Sequence, residues 1–331
     1  MALKKIFNTS LLIACCTAGV VGAVKKYKHV FLTRPSFSLE ASAENSISKI
    51  STSNTQLADY QPVKGSKSGF VLPKIDRMSQ LFTTGANKFP IVETVSFSPK
   101  VSWLEGRLAW IADYASHFKT SRHFIARSLN GKADYFSQQV SHGSKFNVYS
   151  ANRPFDFHIA IDLSSCQMAL YYHDNLTNER VMLKTYDVGI GRKESANFTE
   201  SLTPKGVFKI GSKIAIYKPG VMGTFQDKKV EMIRIFGTRW LPFEPVDPSS
   251  SSPHRGLGIH GLPWQDSEDG ENIQENLTSI GSYSSDGCIR LGKDDIEELF
   301  AVVITKNCYV HIADTIQDMQ LPGNEVVQPT R

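Results

Sequence analysis

The chain has 331 residues, 41% of them hydrophobic and 21% charged, so it can bury a core and a wholly disordered chain is excluded. Thirty-seven Lys and Arg against 32 Asp and Glu leave a net charge of +5 with no long run of one sign, which argues against a nucleic-acid partner. Five scattered cysteines without a C-x-x-C pair argue against a disulfide scaffold or structural zinc, and the length predicts about two domains.

Lys4 and Lys5 precede an apolar run at residues 11–24 (LLIACCTAGVVGAV), which Lys25, Lys26 and Lys28 close. A basic flank followed by a short apolar stretch reads as an export signal or signal-anchor over residues 1–34. A spanning helix wants about 20 apolar residues. This segment reaches that only over residues 6–24, where it includes Asn8, Thr9 and Ser10. Val21-Gly22-Ala23 suits cleavage after Ala23, whereas Leu12-Ile13-Ala14-Cys15 suits acylation of Cys15, and both alternatives stay open. The expected location is the periplasm or cell envelope, with membrane contact through this segment. Residues 35–97 are expected as a linker: their first half is rich in Ser, Thr and Asn without period, and their second half holds a few apolar clusters (FVLP, QLF, FPIVETVSF) between turn residues.

Helical spacing follows. Leu104, Leu108, Ile111, Ala112 and Ala115 predict one helix, Phe124, Ile125 and Leu129 a second, with Asn130-Gly131 as its C-cap, and Phe146 and Val148 alternate as a short strand. Glu105-Gly106-Arg107-Leu108, Thr120-Ser121, Asn130 and the run from His142 to Val148 (HGSKFNV) together resemble a lysin-motif (LysM) module at residues 98–150. The family usually has Asp where Arg107 stands. The resemblance implies a small α+β (βααβ) domain that binds glycan strands of peptidoglycan, weakly as a single copy.

Residues 154–314 read as mainly β. Alternating runs at 157–162, 167–172, 181–188 and 206–210, separated by turn residues, have the spacing of a sandwich or barrel, and residues 309–312 make a last strand. One helix is predicted at 294–303, with Asp294 and Asp295 in its first turn. Before it stands Ser284-Ser285-Asp286-Gly287-Cys288-Ile289-Arg290-Leu291, and upstream Gly258-Ile259-His260-Gly261. A thiol serves as nucleophile when an imidazole takes its proton and backbone N–H groups receive the oxyanion that forms. Cys288 and His260 supply the first pair, and the N–H groups of Gly287 and Cys288 are candidates for the oxyanion hole. The two residues are far apart in sequence, so the fold must join them.

I-H-G followed by S-x-G-C-I-R-L resembles the signature of the L,D-transpeptidase (YkuD-like) catalytic domain. Ala160-Ile161-Asp162-Leu163, the Met168, Leu170, Tyr171 and Tyr172 positions, Tyr186-Asp187-Val188-Gly189-Ile190-Gly191, Thr203-Pro204-Lys205-Gly206 and Gly237-Thr238-Arg239-Trp240-Leu241 follow the family in order. The resemblance implies an L,D-transpeptidase-type β-sandwich or barrel with one or two helices. It also implies an acylated Cys288, His260 as base, the Gly261 carbonyl as its partner, and Arg290 and Ser285 at the substrate. The implied reaction cuts a tetrapeptide stem of peptidoglycan, releases D-Ala and forms a 3-3 cross-link, with neither cofactor nor metal. An L,D-carboxypeptidase, a lipoprotein-anchoring transpeptidase and, from another class, a noncatalytic peptidoglycan-binding protein are the alternatives.

Asp286 replaces a His common in the family and is expected to raise the thiol pKa. The stretch 264–282, with Asp266, Glu268, Asp269, Glu271 and Glu275 and no Lys or Arg, is expected either as a lid selecting an ammonium-bearing acceptor or as a solvated loop. Cys166 and Cys308 are either a disulfide or two buried thiols. A zinc set of His254, His260 and Cys288 has acceptable ligand types but no H-E-x-x-H or C-x-x-C to support it. Residues 315–331 are expected as a C-terminal tail.

Overall fold

The first three alternating runs fold as long antiparallel strands, Phe155–Asp162, Gln167–Asp174 and Glu179–Asp187. In this computed structural model the described residues are 72–131, 139–193, 200–247, 255–268, 270 and 272–326, with the backbone of 63–64. The export signal or signal-anchor expected at residues 1–34 lies outside them.

The main sheet runs in the order Ile289–Leu291, Gly258–Gly261, Arg239–Pro245, Gly206–Ile210, Cys308–Ala313, Phe155–Asp162, Gln167–Asp174, Glu179–Asp187, Asn324–Glu325, and Ala215–Ile216 adds to Arg239–Pro245. Three of its junctions are parallel, Cys308–Ala313 with Phe155–Asp162, Gly258–Gly261 with Ile289–Leu291, and Asn324–Glu325 with Glu179–Asp187. Parallel neighbours need a crossover. Helix Lys293–Val303 lies within the long connection from Phe155–Asp162 to Cys308–Ala313, with Asp294 and Asp295 in its first turn and Ile296, Leu299, Phe300, Ala301, Val302 and Val303 buried. Phe157, Ile159 and Ile161 from one face of the long strands join Leu241, Ile259, Ile289, Leu299 and Phe300 in one core. The expected mainly β class with few helices is the class observed.

The opposite face of the long strands is covered by chain on both sides of the domain. Ala160, Ala169, Tyr171 and Met182 pack under Leu72, Ile75, Ile316, Met319 and Leu321. Arg180 Nη1 donates to the carbonyls of Leu321, Pro322 and Gly323 at 3.2, 2.8 and 3.0 Å. Residues 315–326 are therefore part of the fold and not a tail. Nor does the linker reach residue 97, since Met78, Leu81, Phe89 and Ile91 are no more than 2% exposed. Their clusters are too short to show a period, so the sequence hid them.

Strand Val92–Ser96 pairs antiparallel with Lys145–Tyr149, and helices Ile111–His117 and Arg122–Asn130 lie between them in sequence, a βααβ order. Phe97, Tyr114, Ile125, Phe146 and Val148 form its own small core. The first helix is shorter than its spacing predicted: Gly106 adopts φ +82°, a left-handed conformation that breaks a helix, and Leu108 stays 55% exposed. The helix starts instead where Asp113 accepts from the Trp110 N–H at 2.8 Å. Ser121 caps the second helix by accepting from the Phe124 N–H at 3.0 Å, and Gly131, at φ 76°, closes it as expected.

This unit grips the end of helix Lys293–Val303. The last carbonyls of a helix lack intrahelical donors. Ser121 Oγ donates to the Ala301 carbonyl at 2.5 Å and Tyr149 Oη to the Val302 carbonyl at 2.7 Å. Cys166 and Cys308 are buried thiols, not joined in a disulfide, at opposite ends of strand Phe155–Asp162: Cys308 lies beside Phe157, and Cys166 adjoins Gln167, the partner of Asp162. Five strand residues span about 16 Å, well beyond the reach of a disulfide.

Candidate active site

A parallel strand pair sets His260 beside the strand that follows Cys288. Ile259 lies opposite Ile289, His260 opposite Arg290 and Gly261 opposite Leu291. Side chains two apart on a strand share a face. Cys288, Arg290 and His260 therefore share one face, while Ile259, Ile289 and Leu291 turn into the core and are fully buried.

The turn that carries the sulfur is held by hydroxyls. Ser285 Oγ accepts from the Gly287 N–H at 3.1 Å and donates to the Cys288 carbonyl at 2.6 Å. Thr203 Oγ1 accepts from the Gly191 N–H at 2.8 Å and donates to the Gly287 carbonyl at 3.1 Å. Gly287 sits at φ +116°, and a Cβ there would stand 2.9 Å from the Leu202 carbonyl oxygen, so only glycine fits. Two expectations change here. The Gly287 N–H is already bonded to Ser285, which leaves the Cys288 N–H as the oxyanion candidate. Ser285, 1% exposed, holds the turn and does not reach out to substrate.

Cys288 Sγ lies 3.9 Å from the Gly256 carbonyl. Burial pushes its pKa up, opposed by a hydrogen bond from the Gly258 backbone and by the charge of Arg290. Asp286 is not the cause: it is exposed and paired with Arg192. His260 is 3% exposed, and its Nδ1–H donates to the Gly261 carbonyl at 2.7 Å. In the neutral ring this leaves Nε2 as the basic nitrogen. Burial first, and then the Arg290 charge, pull the imidazole pKa down to about 3, while backbone hydrogen bonds to Gly261 and Phe236 oppose the fall. The resting pair is thus a neutral thiol and a neutral imidazole.

Phe236 stands edge-on to the imidazole at 5.4 Å and Trp240, its cross-strand partner, at 5.8 Å. Gly237, at φ +60°, touches Gly261: a Cβ on Gly237 would lie 2.5 Å from the Gly261 carbonyl carbon. Arg290 is buried enough that desolvation lowers its pKa. Among the described residues its Nη1 reaches only Ser279 Oγ at 3.4 Å and the Ser284 carbonyl at 3.5 Å, and its Nε has no hydrogen-bond partner. A buried guanidinium so weakly held beside the thiol suits an anionic ligand.

The acidic stretch forms a hairpin, Trp264–Asp266 against Ile273–Glu275. It leaves the C-terminal end of strand Gly258–Gly261, whereas Cys288 precedes the N-terminal end of the neighbouring parallel strand. Asp266 bonds Arg234 at 2.7 Å, and Glu275, its pKa raised by burial, receives a backbone hydrogen bond from Lys293. Two of its five acids thus have local partners. Asp269 and Glu271, like His254 of the zinc alternative, lie outside the described residues.

Sequence reasoning assigned no role to Thr203, Phe236, Gly237 or Trp240. All four stood in or beside quoted motifs, but their contribution is a backbone hydrogen bond, a ring contact or an absent side chain, none of which spacing reveals.

Over 194 residues the chain is 28% identical to a Bacillus licheniformis protein named "Putative L,D-transpeptidase YkuD", covering 57% of this chain and 85% of that one. Among solved structures, Bd1075 of Bdellovibrio bacteriovorus aligns at 13% identity and a TM-score of 0.33 over 49% of each chain, so that about half of its length is spanned. L,D-transpeptidase 3 of Mycobacterium tuberculosis aligns at 13% identity and a TM-score of 0.31, covering 53% of this chain and 76% of that one. Residues 156–312, which contain His260, Cys288 and Arg290, match the model of the YkuD L,D-transpeptidase catalytic domain.

Proposed function

We propose that the chain is an exported peptidoglycan L,D-transpeptidase. The observation that supports this best is the common face of His260 and Cys288, with Nδ1–H directed to Gly261 and Nε2 left basic. In this reading Nε2 takes the Cys288 proton as sulfur attacks the carbonyl between the L-centre of diaminopimelate (or lysine) and the terminal D-Ala of a tetrapeptide stem. The tetrahedral oxyanion faces the Cys288 N–H. His260 then returns the proton to the departing D-Ala nitrogen, and a thioester remains. The amine of a second stem attacks that thioester, passes its proton through His260 to the leaving sulfur, and closes a 3-3 cross-link in the cell wall. Arg290 holds a substrate carboxylate. The βααβ unit, as a LysM-like module, keeps the enzyme near glycan strands, and the N-terminal segment holds it at the membrane.

Mass spectrometry of the purified protein with tetrapeptide muropeptides tests the reading. The expected result is a Cys288 adduct that has lost D-Ala, a cross-linked dimer, and neither with Cys288→Ala. Tripeptide without dimer would indicate an L,D-carboxypeptidase, and transfer to a protein lysine a lipoprotein-anchoring enzyme. Full cross-linking by Cys288→Ala would sink the mechanism, and no adduct in the unmodified protein would leave a noncatalytic wall-binding role.

A further inference from the structure

Three consecutive peptides around the sulfur are tied: the N–H of Gly287 to Ser285, the carbonyl of Gly287 to Thr203, and the carbonyl of Cys288 to Ser285. The middle tie differs from the other two. The Gly287 carbonyl and the Cys288 N–H belong to one planar peptide, the chain contains no cis bonds among its described residues, and in a trans peptide these two groups point in opposite directions. Whatever fixes the carbonyl aims the N–H. Glycine leaves its backbone more rotational freedom than any other residue, so the peptide after Gly287 needs an external hold.

We propose that Thr203 is a positioning residue for acyl transfer: by accepting from Gly191 and donating to the Gly287 carbonyl, it presents the Cys288 N–H as the oxyanion donor. The hydroxyl has no second choice. Thr203 is 1% exposed, and with its oxygen accepting from Gly191 at 2.8 Å, its single proton goes to Gly287. Ser285 fixes the peptides on either side but does not touch this one. The inference rests on Cys288 as an acylated nucleophile and names the residue that sets its oxyanion geometry.

Two reagents separate this role from a structural one. Acylation by p-nitrophenyl acetate builds an oxyanion: sulfur attacks the carbonyl, p-nitrophenolate leaves and a thioester forms. Alkylation by iodoacetamide builds none, since sulfur displaces iodide at a saturated carbon and only the thiol proton is lost. In the full chain, Thr203→Val is expected to slow the p-nitrophenolate burst about 10²-fold, as loss of an oxyanion donor does. Iodoacetamide alkylation and its pH profile should stay within about twofold, and Thr203→Ser should restore most of the burst. Should Thr203→Val not fold, Thr203→Ala carries the same expectation.

An unchanged burst, an equal loss in both reactions, or failure of both Val and Ala variants to fold would overturn the proposal. So would a wild-type thiol that iodoacetamide alkylates but the ester does not acylate. If the ester reacts and tetrapeptides do not, the substrate reading fails while the Thr203 comparison stands.

Discussion

Acidification should unfold this protein at a pH where its carboxylates are still ionised. His123, His158 and His260 have pKa values drawn down to about 3 and His311 to about 4, in each case chiefly by burial. In the unfolded chain each returns to about 6.5. The folded values are depressed, so the stability these residues contribute is complete above pH 6.5 and is lost as pH falls towards 3 to 4. Between pH 7 and pH 5 one such histidine costs about 1.9 kcal/mol. Four give at most about 7.5 kcal/mol, and somewhat less because His158 Nδ1 and His311 Nε2 are 3.0 Å apart and titrate together. That is comparable with the 5 to 15 kcal/mol of a typical domain. Urea unfolding at pH 7, 6 and 5 measures the loss. His123→Gln, on a residue that meets Phe300 edge to face, should flatten the pH slope by one proton, about 1.4 kcal/mol per unit below pH 6. A urea midpoint equal at pH 7 and 5, or an unchanged slope in His123→Gln, would refute the argument.

Gly237→Ala places a Cβ 2.5 Å from the Gly261 backbone at positive φ, so it should cost more than the about 1–2 kcal/mol of a left-handed residue alone. It should slow both acylation and alkylation of Cys288 by displacing the carbonyl that orients His260; wild-type melting and alkylation would contradict this. Asp286→Asn should leave the midpoint of the iodoacetamide pH profile where it is, because the carboxylate is exposed and faces Arg192; a fall in the midpoint would restore the expectation drawn from sequence. Tyr149→Phe orphans the buried Val302 carbonyl and should lower stability by about 1–3 kcal/mol in chemical denaturation, with the rate of Cys288 alkylation unaltered.

What the sequence made legible is what local patterns encode. Alternation located the long strands to within two residues at each end, and Asp294 and Asp295 located the helix that crosses the core. The thiol and imidazole were visible because their motif is specific. The strands that hold them were not: Arg239–Pro245 contains Pro242 and Pro245, and Gly258–Gly261 begins and ends in glycine, so neither shows a β pattern. Their parallel pairing joins segments that no local signal connects. Leu104 and Leu108 failed as helix markers because Gly106 stands between them. Ser285 and Asp286 were misread for a related reason. The family resemblance put Ser285 at the substrate and a carboxylate next to a thiol was expected to raise its pKa, and only the fold shows that the hydroxyl is bonded on both sides and the carboxylate faces an arginine.

The grip of Ser121 and Tyr149 on the last carbonyls of helix Lys293–Val303 bears on how this architecture can be handled and varied. The boundary at which the family likeness begins, residue 156, is not a boundary of mechanical independence. Cutting the chain at residue 154 would strip two donors from the end of the helix that follows the nucleophile and uncover the apolar surface on which Phe124 and Tyr149 lie. The βααβ unit is thus a scaffold element of the domain that carries Cys288. Changes to its outer surface are confined to positions that leave Ser121, His123 and Tyr149 facing inward.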